Sequence, residues 1–358
     1  MRKPLGRVPF RSTATVVGAV LAGIFTVATS AGTATAATGL EGIPAYSHIV
    51  TIVLENEGFD STYGPASPAT YLKSLVPQGV LATNYYATGH ASLDNYIAMT
   101  SGQPDQPLTG SDCATVNLYT CVQGQQAMSN GANVGDQLDA AGLGWKQYAD
   151  GISTSCLHAS YSPTAGTDPY QGAGASPPPA GPNYADRHVP FLYYSDVVGN
   201  DARCQAHDVP YSQLSTDITN DTVPAYSFVT PDTCNDGHDN PCAGKTTGGL
   251  TAADAWLSAN IPSLLSYLQA HNGLLVITTD ESSTSDTTGC CHGGPGGGPG
   301  FGGRVGLLAL GPGVKAGQTI STAYDHASLL RTVEDSFGIS SYLNNASSSV
   351  AMRDLFVG

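Results

Sequence analysis

The sequence predicts a single α/β domain built on a largely parallel central sheet with helices on its faces. Two runs carry that prediction. "HIVTIVL" (48–54) and "GLLVITT" (273–279) are almost continuously apolar and rich in β-branched residues, the pattern of strands buried on both faces. Strand-like and helix-like segments also alternate along the chain, with no internal repeat, which is the order expected of parallel strands joined by helical crossovers.

Taken in order, 47–56 reads as the first strand. Residues 68–79 read as a short helix, 80–87 as a strand, and 92–102 as a helix opened by Ser92 and closed before Gly102. A helix over 133–142 and strands over 145–149 and 225–231 follow. Residues 162–182, rich in Pro, Gly and Ala, read as a loop. The 251–272 segment reads as a long helix, with Thr251 and Asp254 spaced as a capping box and Pro262 placed to kink it. The strand 273–279, a glycine-rich loop over 287–303, a strand over 304–311 and a helix over 325–338 complete the pattern. The glycine loop lacks the lysine and spacing of a phosphate-cradling P-loop and reads as a cover or turn.

The N-terminus reads as a secretory leader over 1–36: Arg2, Lys3, Arg7 and Arg11, an apolar run over 14–28, and a small-residue cleavage site at Ala34-Thr35-Ala36. The apolar run is shorter than the ~20 residues a membrane span needs, and no later segment is apolar enough, so no stable membrane insertion is expected. Residues 37–45 then form a linker and 46–358 the folded domain. The 358-residue chain carries 13 Lys and Arg against 28 Asp and Glu; loss of the four leader charges leaves a net charge near −19. Such a surface excludes nucleic acid as a partner. No feature of the sequence sets an oligomeric state. Eight cysteines in an exported chain point to disulfides. Cys113 with Cys121 and Cys234 with Cys242 would close short loops, Cys156 with Cys204 a long one, and Cys290 and Cys291 are adjacent; many other connectivities remain open on sequence alone.

The two buried runs end alike, in Glu55-Asn56 and in Asp280-Glu281. Ligands of open α/β sheets bind at the carboxyl ends of strands. If the runs are parallel neighbours, three carboxylates and an amide meet there, and like charges so close call for a cation. All-oxygen ligands suit Ca²⁺, Mg²⁺ or Mn²⁺. Asp232, Asp236, His238 and Asp239 follow another strand, His326 starts a helix, and His90 lies two residues before Ser92. Such groups suit a second metal, phosphate binding or proton transfer. His158, His188, His207, His271 and His292 read as packing or capping residues, His188 being the least bland. Ser92 is a natural helix N-cap. Next to a cation its hydroxyl could instead be ionised and attack phosphorus. No G-x-S-x-G is present there.

Five ordered blocks over residues 46–338 resemble the phosphoesterase family of bacterial phospholipases C and secreted acid phosphatases, within the alkaline-phosphatase-like superfamily. They are "HIVTIVLENEGFD" (48–60), "HASLDNYIAMTSG" (90–102), "NDGHD" (235–239) ahead of "DAWL" (254–257), "LLVITTDES" (274–282) and "YDHASLLRTVE" (324–334); "RHVPFLYY" (187–194) is similar to a linking region. The resemblance implies an alkaline-phosphatase-like fold and a divalent metal ion held by Glu55, Asn56, Ser92, Asp280 and Glu281. It also implies Ser92 as a nucleophile forming a phosphoseryl intermediate. Asn95, Asp236 and His326 would bind the phosphate ester, with His238 and His90 assisting catalysis. Two prolines of the family's second block are replaced by Ala91 and Asp94, which sets a carboxylate beside the nucleophile. No basic residue lies in the first four blocks, so charge stabilisation is expected from the metal and helix N–H groups. The implied function is a secreted, metal-dependent acid phosphatase acting on phosphate monoesters, phosphoinositides among them. The alternatives are a phospholipase C-type phosphodiesterase and a catalytically dead binding protein.

Overall fold

The strands β1 (His48–Leu54) and β7 (Gly273–Thr279) lie side by side in the sheet, parallel and paired from His48 opposite Gly273 to Leu54 opposite Thr279. Their side chains alternate between two apolar layers. Ile49, Val53, Leu274 and Val276 enter one; Val50, Ile52, Leu54, Leu275 and Ile277 enter the other. That two-sided burial is why both runs are almost continuously apolar. The computed structural model describes Met1, residues 39–113, Cys121, 132–157, 183–292 and 301–357. The expected leader after Met1, residues 37–38 of the linker, the 162–182 loop, His158 and the middle of the glycine loop lie outside these residues.

The remaining strands are β2 (Val80–Ala82), β3 (Tyr85–Tyr86), β4 (Trp145–Ala149), β5 (Asp208–Pro210), β6 (Tyr226–Thr230), β8 (Leu307–Leu310), β9 (Gln318–Ile320) and β10 (Tyr324–Asp325). Eight form one sheet in the order β5-β4-β6-β1-β7-β8-β2-β9. Only β8 runs against the others, so the sheet is mostly parallel and the expected fold class, α/β with flanking helices, is observed. β3 and β10 pair as a separate two-stranded ribbon, so the strand expected over 80–87 is two strands belonging to different sheets. The three-residue strands β5 and β9 at the sheet edges carry no periodic signal and were not expected.

On one face lie helices α3 (Ser92–Ser101) and α9 (His326–Ser336), every residue of both buried. On the other lies α8 (Gly249–Ala270), which presents Ala253, Leu257, Ile261, Leu264 and Leu268 at helical spacing to the sheet. Each such fully buried Leu or Ile contributes about 2 kcal/mol of burial. Between α3 and α8 in sequence come α4 (Val134–Ala140), α5 (Ser195–Val198), α6 (Asp201–His207) and α7 (Ser212–Asn220); α1 (Phe59–Tyr63) and α2 (Thr70–Leu75) precede α3.

The capping box expected at Thr251 and Asp254 does not form. α8 begins at Gly249, after Gly248, with no side-chain cap. Asp254 instead accepts hydrogen bonds from the backbone N–H groups of Tyr71 (2.9 Å) and Leu72 (2.8 Å), and so caps α2 from a neighbouring helix. The helix runs on through Pro262. The disulfides join Cys113 to Cys121, Cys156 to Cys204, Cys234 to Cys242 and Cys290 to Cys291. No helix among the described residues is long and apolar enough to cross a membrane.

Candidate active site

Because Leu54 pairs with Thr279, Glu55-Asn56 and Asp280-Glu281 leave the sheet side by side. Backbone bonds lock this edge: the Asp280 N–H donates to the Leu54 carbonyl (2.9 Å), and the Glu55 N–H donates to the Asp236 carbonyl (2.9 Å) from the loop after β6. Asn56 has φ of 58°, a left-handed conformation that Asn tolerates better than most residues. There its N–H donates to Asp280 Oδ1 (2.9 Å) and its side-chain amide to Glu55 Oε2 (3.1 Å). The Glu281 N–H reaches the same Asp280 oxygen (2.6 Å).

Ser92 is the first residue of α3 and does not cap it. The N-cap is Ala91, which has no capping side chain, and the Leu93 N–H donates instead to Asp112 Oδ1 (2.9 Å). The Ser92 hydroxyl points across to the sheet edge and donates to Glu55 Oε2 (3.1 Å), the oxygen that Asn56 also reaches. Asn95, one turn on, accepts from the N–H groups of Thr88 (2.8 Å) and Gly89 (3.2 Å) and donates to Glu281 Oε2 (3.2 Å). It thus ties the loop before Ser92 to the second acidic pair.

The histidines fall into distinct places. His188 lies between Glu55 Oε1 and Asp236 Oδ2, 3.2 Å from each, and stacks on Tyr96 with ring centroids 5.3 Å apart. His238 donates through its N–H to Asp236 Oδ1 (2.8 Å), and its ring contacts Asp239 Oδ1 (2.8 Å) and the Arg187 guanidinium (3.3 Å). His90 donates from Nε2 to the Asp286 carbonyl (2.9 Å), leaving Nδ1 buried without a partner. His326 is fully buried. Its Nε2–H donates to the Asp280 carbonyl (2.7 Å) and its Nδ1 accepts from the Tyr85 hydroxyl (2.9 Å). Both ring nitrogens are therefore taken, and His326 holds the end of β7 rather than facing an open space.

This edge concentrates buried acid. Burial, then the neighbouring Asp280, holds the Glu55 carboxyl well above the usual range. Burial, then Glu281, does the same to Asp280, and burial, then Glu55, to Asp236. Burial and Glu55 push Glu281 up to about 9. Asp94 is also held far above the usual range, by burial and by Asp105, which disfavours the negative charge expected beside Ser92. Glu55 Oε1, His188 Nε2, Asp236 Oδ2 and Asp280 Oδ2 are buried and lack hydrogen-bond partners. Ligand atoms of Glu55, His188 and Asp236 lie within 4.8 Å of one another. Buried oxygen and imidazole donors left unpaired in this way fit a divalent cation. Of the five ligands implied by resemblance only Glu55 belongs to that triple. The other four converge on the same edge through the hydrogen bonds given above.

Two residues here carry little signal in the sequence. His188 reads there as a packing residue. Arg187 stands outside every acidic motif, yet its charge is felt by Glu55, Asp112, Asp236 and Glu281. Their signal was the "RHVPF" linking region, distant in sequence from Glu55, Asp112, Asp236 and Glu281.

Residues 65–340 match the model of the Phosphoesterase family, and the chain belongs to that family, whose reactions are hydrolyses at phosphoric ester bonds. The match starts beyond Glu55 and Asn56, whose place in the site rests on geometry. Among curated relatives, a "Probable acid phosphatase" of Kluyveromyces lactis is 28% identical over 299 residues, covering 81% of this chain and 58% of that protein. A "Phosphatidylinositol-3-phosphatase" of Mycobacterium tuberculosis is 24% identical over 308 residues, covering 85% of this chain and 82% of that protein. Murine ectonucleotide pyrophosphatase/phosphodiesterase 5 shares the fold, with TM-score 0.50 and 11% identity, covering 87% of this chain and all of that one.

Proposed function

We propose that this chain is an exported, metal-dependent acid phosphatase that hydrolyses phosphate monoesters through a phosphoseryl intermediate on Ser92. The observation that carries the reading is the Ser92 hydroxyl donating to Glu55 Oε2 within a nest of buried, under-neutralised carboxylates. Export is supported by the basic-apolar N-terminal pattern and the four disulfides. Glu55, Asn56, Asp280 and Glu281 would hold the cation beside Ser92, with His188 and Asp236 adjoining. A divalent ion there supplies charge neutralisation and a lowered hydroxyl pKa.

The chain's own residues account for the rest. Glu55 Oε2 orients the Ser92 hydroxyl towards the sheet edge. Attack of Ser92 Oγ on phosphorus forms the serine phosphoester, and the alcohol leaves with a proton. Water then cleaves that ester, releasing phosphate and restoring the hydroxyl. His90, with Nε2–H held by the Asp286 carbonyl, keeps Nδ1 open to take or return a proton. Asn95 keeps Glu281 and the loop before Ser92 in place. His326 and Tyr85 fix the end of β7, and burial pushes His326 down to about 4, so it stays neutral across the acidic working range.

The chain spans 58% of the length of the K. lactis relative, so the substrate is read from the site itself. The M. tuberculosis relative, of which 82% is covered, supports phosphoinositide headgroups as one class of monoester. The test is turnover of p-nitrophenyl phosphate, bis-p-nitrophenyl phosphate and phosphatidylcholine between pH 4 and 8, with and without EDTA. The reading expects monoester turnover that EDTA abolishes. Preferential diester or lipid turnover would favour a phospholipase C-type activity, and a folded, metal-replete protein without turnover would favour a binding role.

A further inference from the structure

Arg187 is 9% exposed in a region crowded with acid, and among the described residues it forms no ion pair with any carboxylate. Its directed contact is the 3.3 Å approach of Nη2 to His238 Nε2. A buried arginine ordinarily lies in a carboxylate pair. This one keeps most of a five-donor planar fork free, with Glu55, Asp112, Asp186 and Asp236 near enough for their charges to act on it.

Its position relative to Ser92 follows from one packing contact and two electrostatic couplings. The turn Asp186–His188 packs on α3, where the His188 ring lies flat on Tyr96, at an angle of 6°, one turn along from Ser92. Asp112, which feels the Arg187 charge, holds the Leu93 N–H beside Ser92. Glu55, which also feels it, receives the Ser92 hydroxyl. The guanidinium therefore stands among the groups that touch the start of α3. Its charge reaches Glu55, Asp236 and Glu281 alike.

We propose that Arg187 clamps two non-bridging oxygens of the phosphate-monoester dianion and so sets a preference for monoesters over diesters. The proposal rests on the phosphoserine reading above. A planar fork matches two charged oxygens of a monoester. A diester has one charged oxygen fewer to offer, so it gains less from the clamp. The same clamp would hold inorganic phosphate as product.

The test uses the full-length, metal-replete protein and its R187A, R187K and S92A variants. Calorimetry with inorganic phosphate, at saturating metal, is paired with kcat and KM for p-nitrophenyl phosphate and bis-p-nitrophenyl phosphate. Expected for R187A are phosphate binding weakened by about tenfold or more, monoester kcat/KM lowered about 10²- to 10³-fold, and diester kcat/KM lowered less than about tenfold. R187K, which keeps the charge without the fork, should fall between, and it carries the test if R187A does not fold. Unchanged phosphate affinity, equal losses on both esters, or recovery on adding metal would overturn the clamp. S92A separates the two readings. Retained turnover in S92A would sink the phosphoserine intermediate alone. Loss of turnover with phosphate binding intact leaves that reading standing and isolates Arg187.

Discussion

At the scale of single residues, the hydroxyl of Ser92 and the oxygen it reaches on Glu55 carry the most direct prediction. Ser92→Ala should lower kcat by about 10³-fold or more while the thermal midpoint stays close to that of the parent, since one hydrogen bond is worth about 1 kcal/mol. Rate measurements with p-nitrophenyl phosphate, alongside calorimetry, check both parts. Tyr85→Phe removes the donor that fixes the His326 tautomer without touching the acidic nest. It should cost about 1 kcal/mol of stability by denaturant unfolding. These residues differ in how legible they were. Ser92, Glu55 and Asp280 announce themselves because each sits at the end of a strongly patterned element. Arg187 and His188 do not, because what gives them meaning is proximity to carboxylates brought in by β1 and β6. Charge in a sequence says nothing about which partner it will meet.

At the scale of elements, Asp254 shows how one helix can depend on another. Its carboxylate ends the unsatisfied N–H groups of α2 while sitting inside α8. Asp254→Ala should therefore destabilise the fold by about 1–2 kcal/mol, with kcat unchanged. A matched loss of stability and activity would argue against a purely capping role. The spacing of Thr251 and Asp254 suggested a local box, and local spacing was a poor guide here because glycines at 248 and 249 start the helix earlier. β1 and β7, by contrast, were readable because burial on both faces leaves them almost continuously apolar and β-branched. β5 and β9 were not, being three-residue edge strands whose pairing is set by their neighbours.

At the scale of the whole molecule, the balance of protons links stability to metal. The carboxyls of Glu55, Asp94, Asp236 and Asp280 are held high by burial, Glu281 is pushed up to about 9 and Glu334, also by burial, to about 7. A carboxyl whose folded pKa is raised stabilises fully below its unfolded value of about 4, and that contribution is lost as pH rises through the folded value. His188 and His326, pushed down by burial, act oppositely: their contribution is present above about 6.5 and lost as pH falls. EDTA-treated protein should thus lose thermal stability between about pH 5 and 9, most steeply above about 6.5 where the histidines no longer oppose. Restoring a divalent ion should flatten that decline, because the cation takes the place of the protons. Calorimetric midpoints at three pH values, with and without metal, decide it; equal midpoints at both extremes without metal would contradict the scheme.

The reversed strand β8 has a bearing on how such a molecule can change. Because β7 runs one way and β8 the other, the chain that leaves the sheet at Asp280 returns to it from the same rim. The root of this excursion is stitched by Ser282 to Gly302, Gly303 to Thr288 and Val305 to Tyr85. New sequence spliced into this excursion would enter beside the Asp280-Glu281 edge while the sheet beneath keeps its pairing. Selectivity could then drift from one ester to another with little cost to folding.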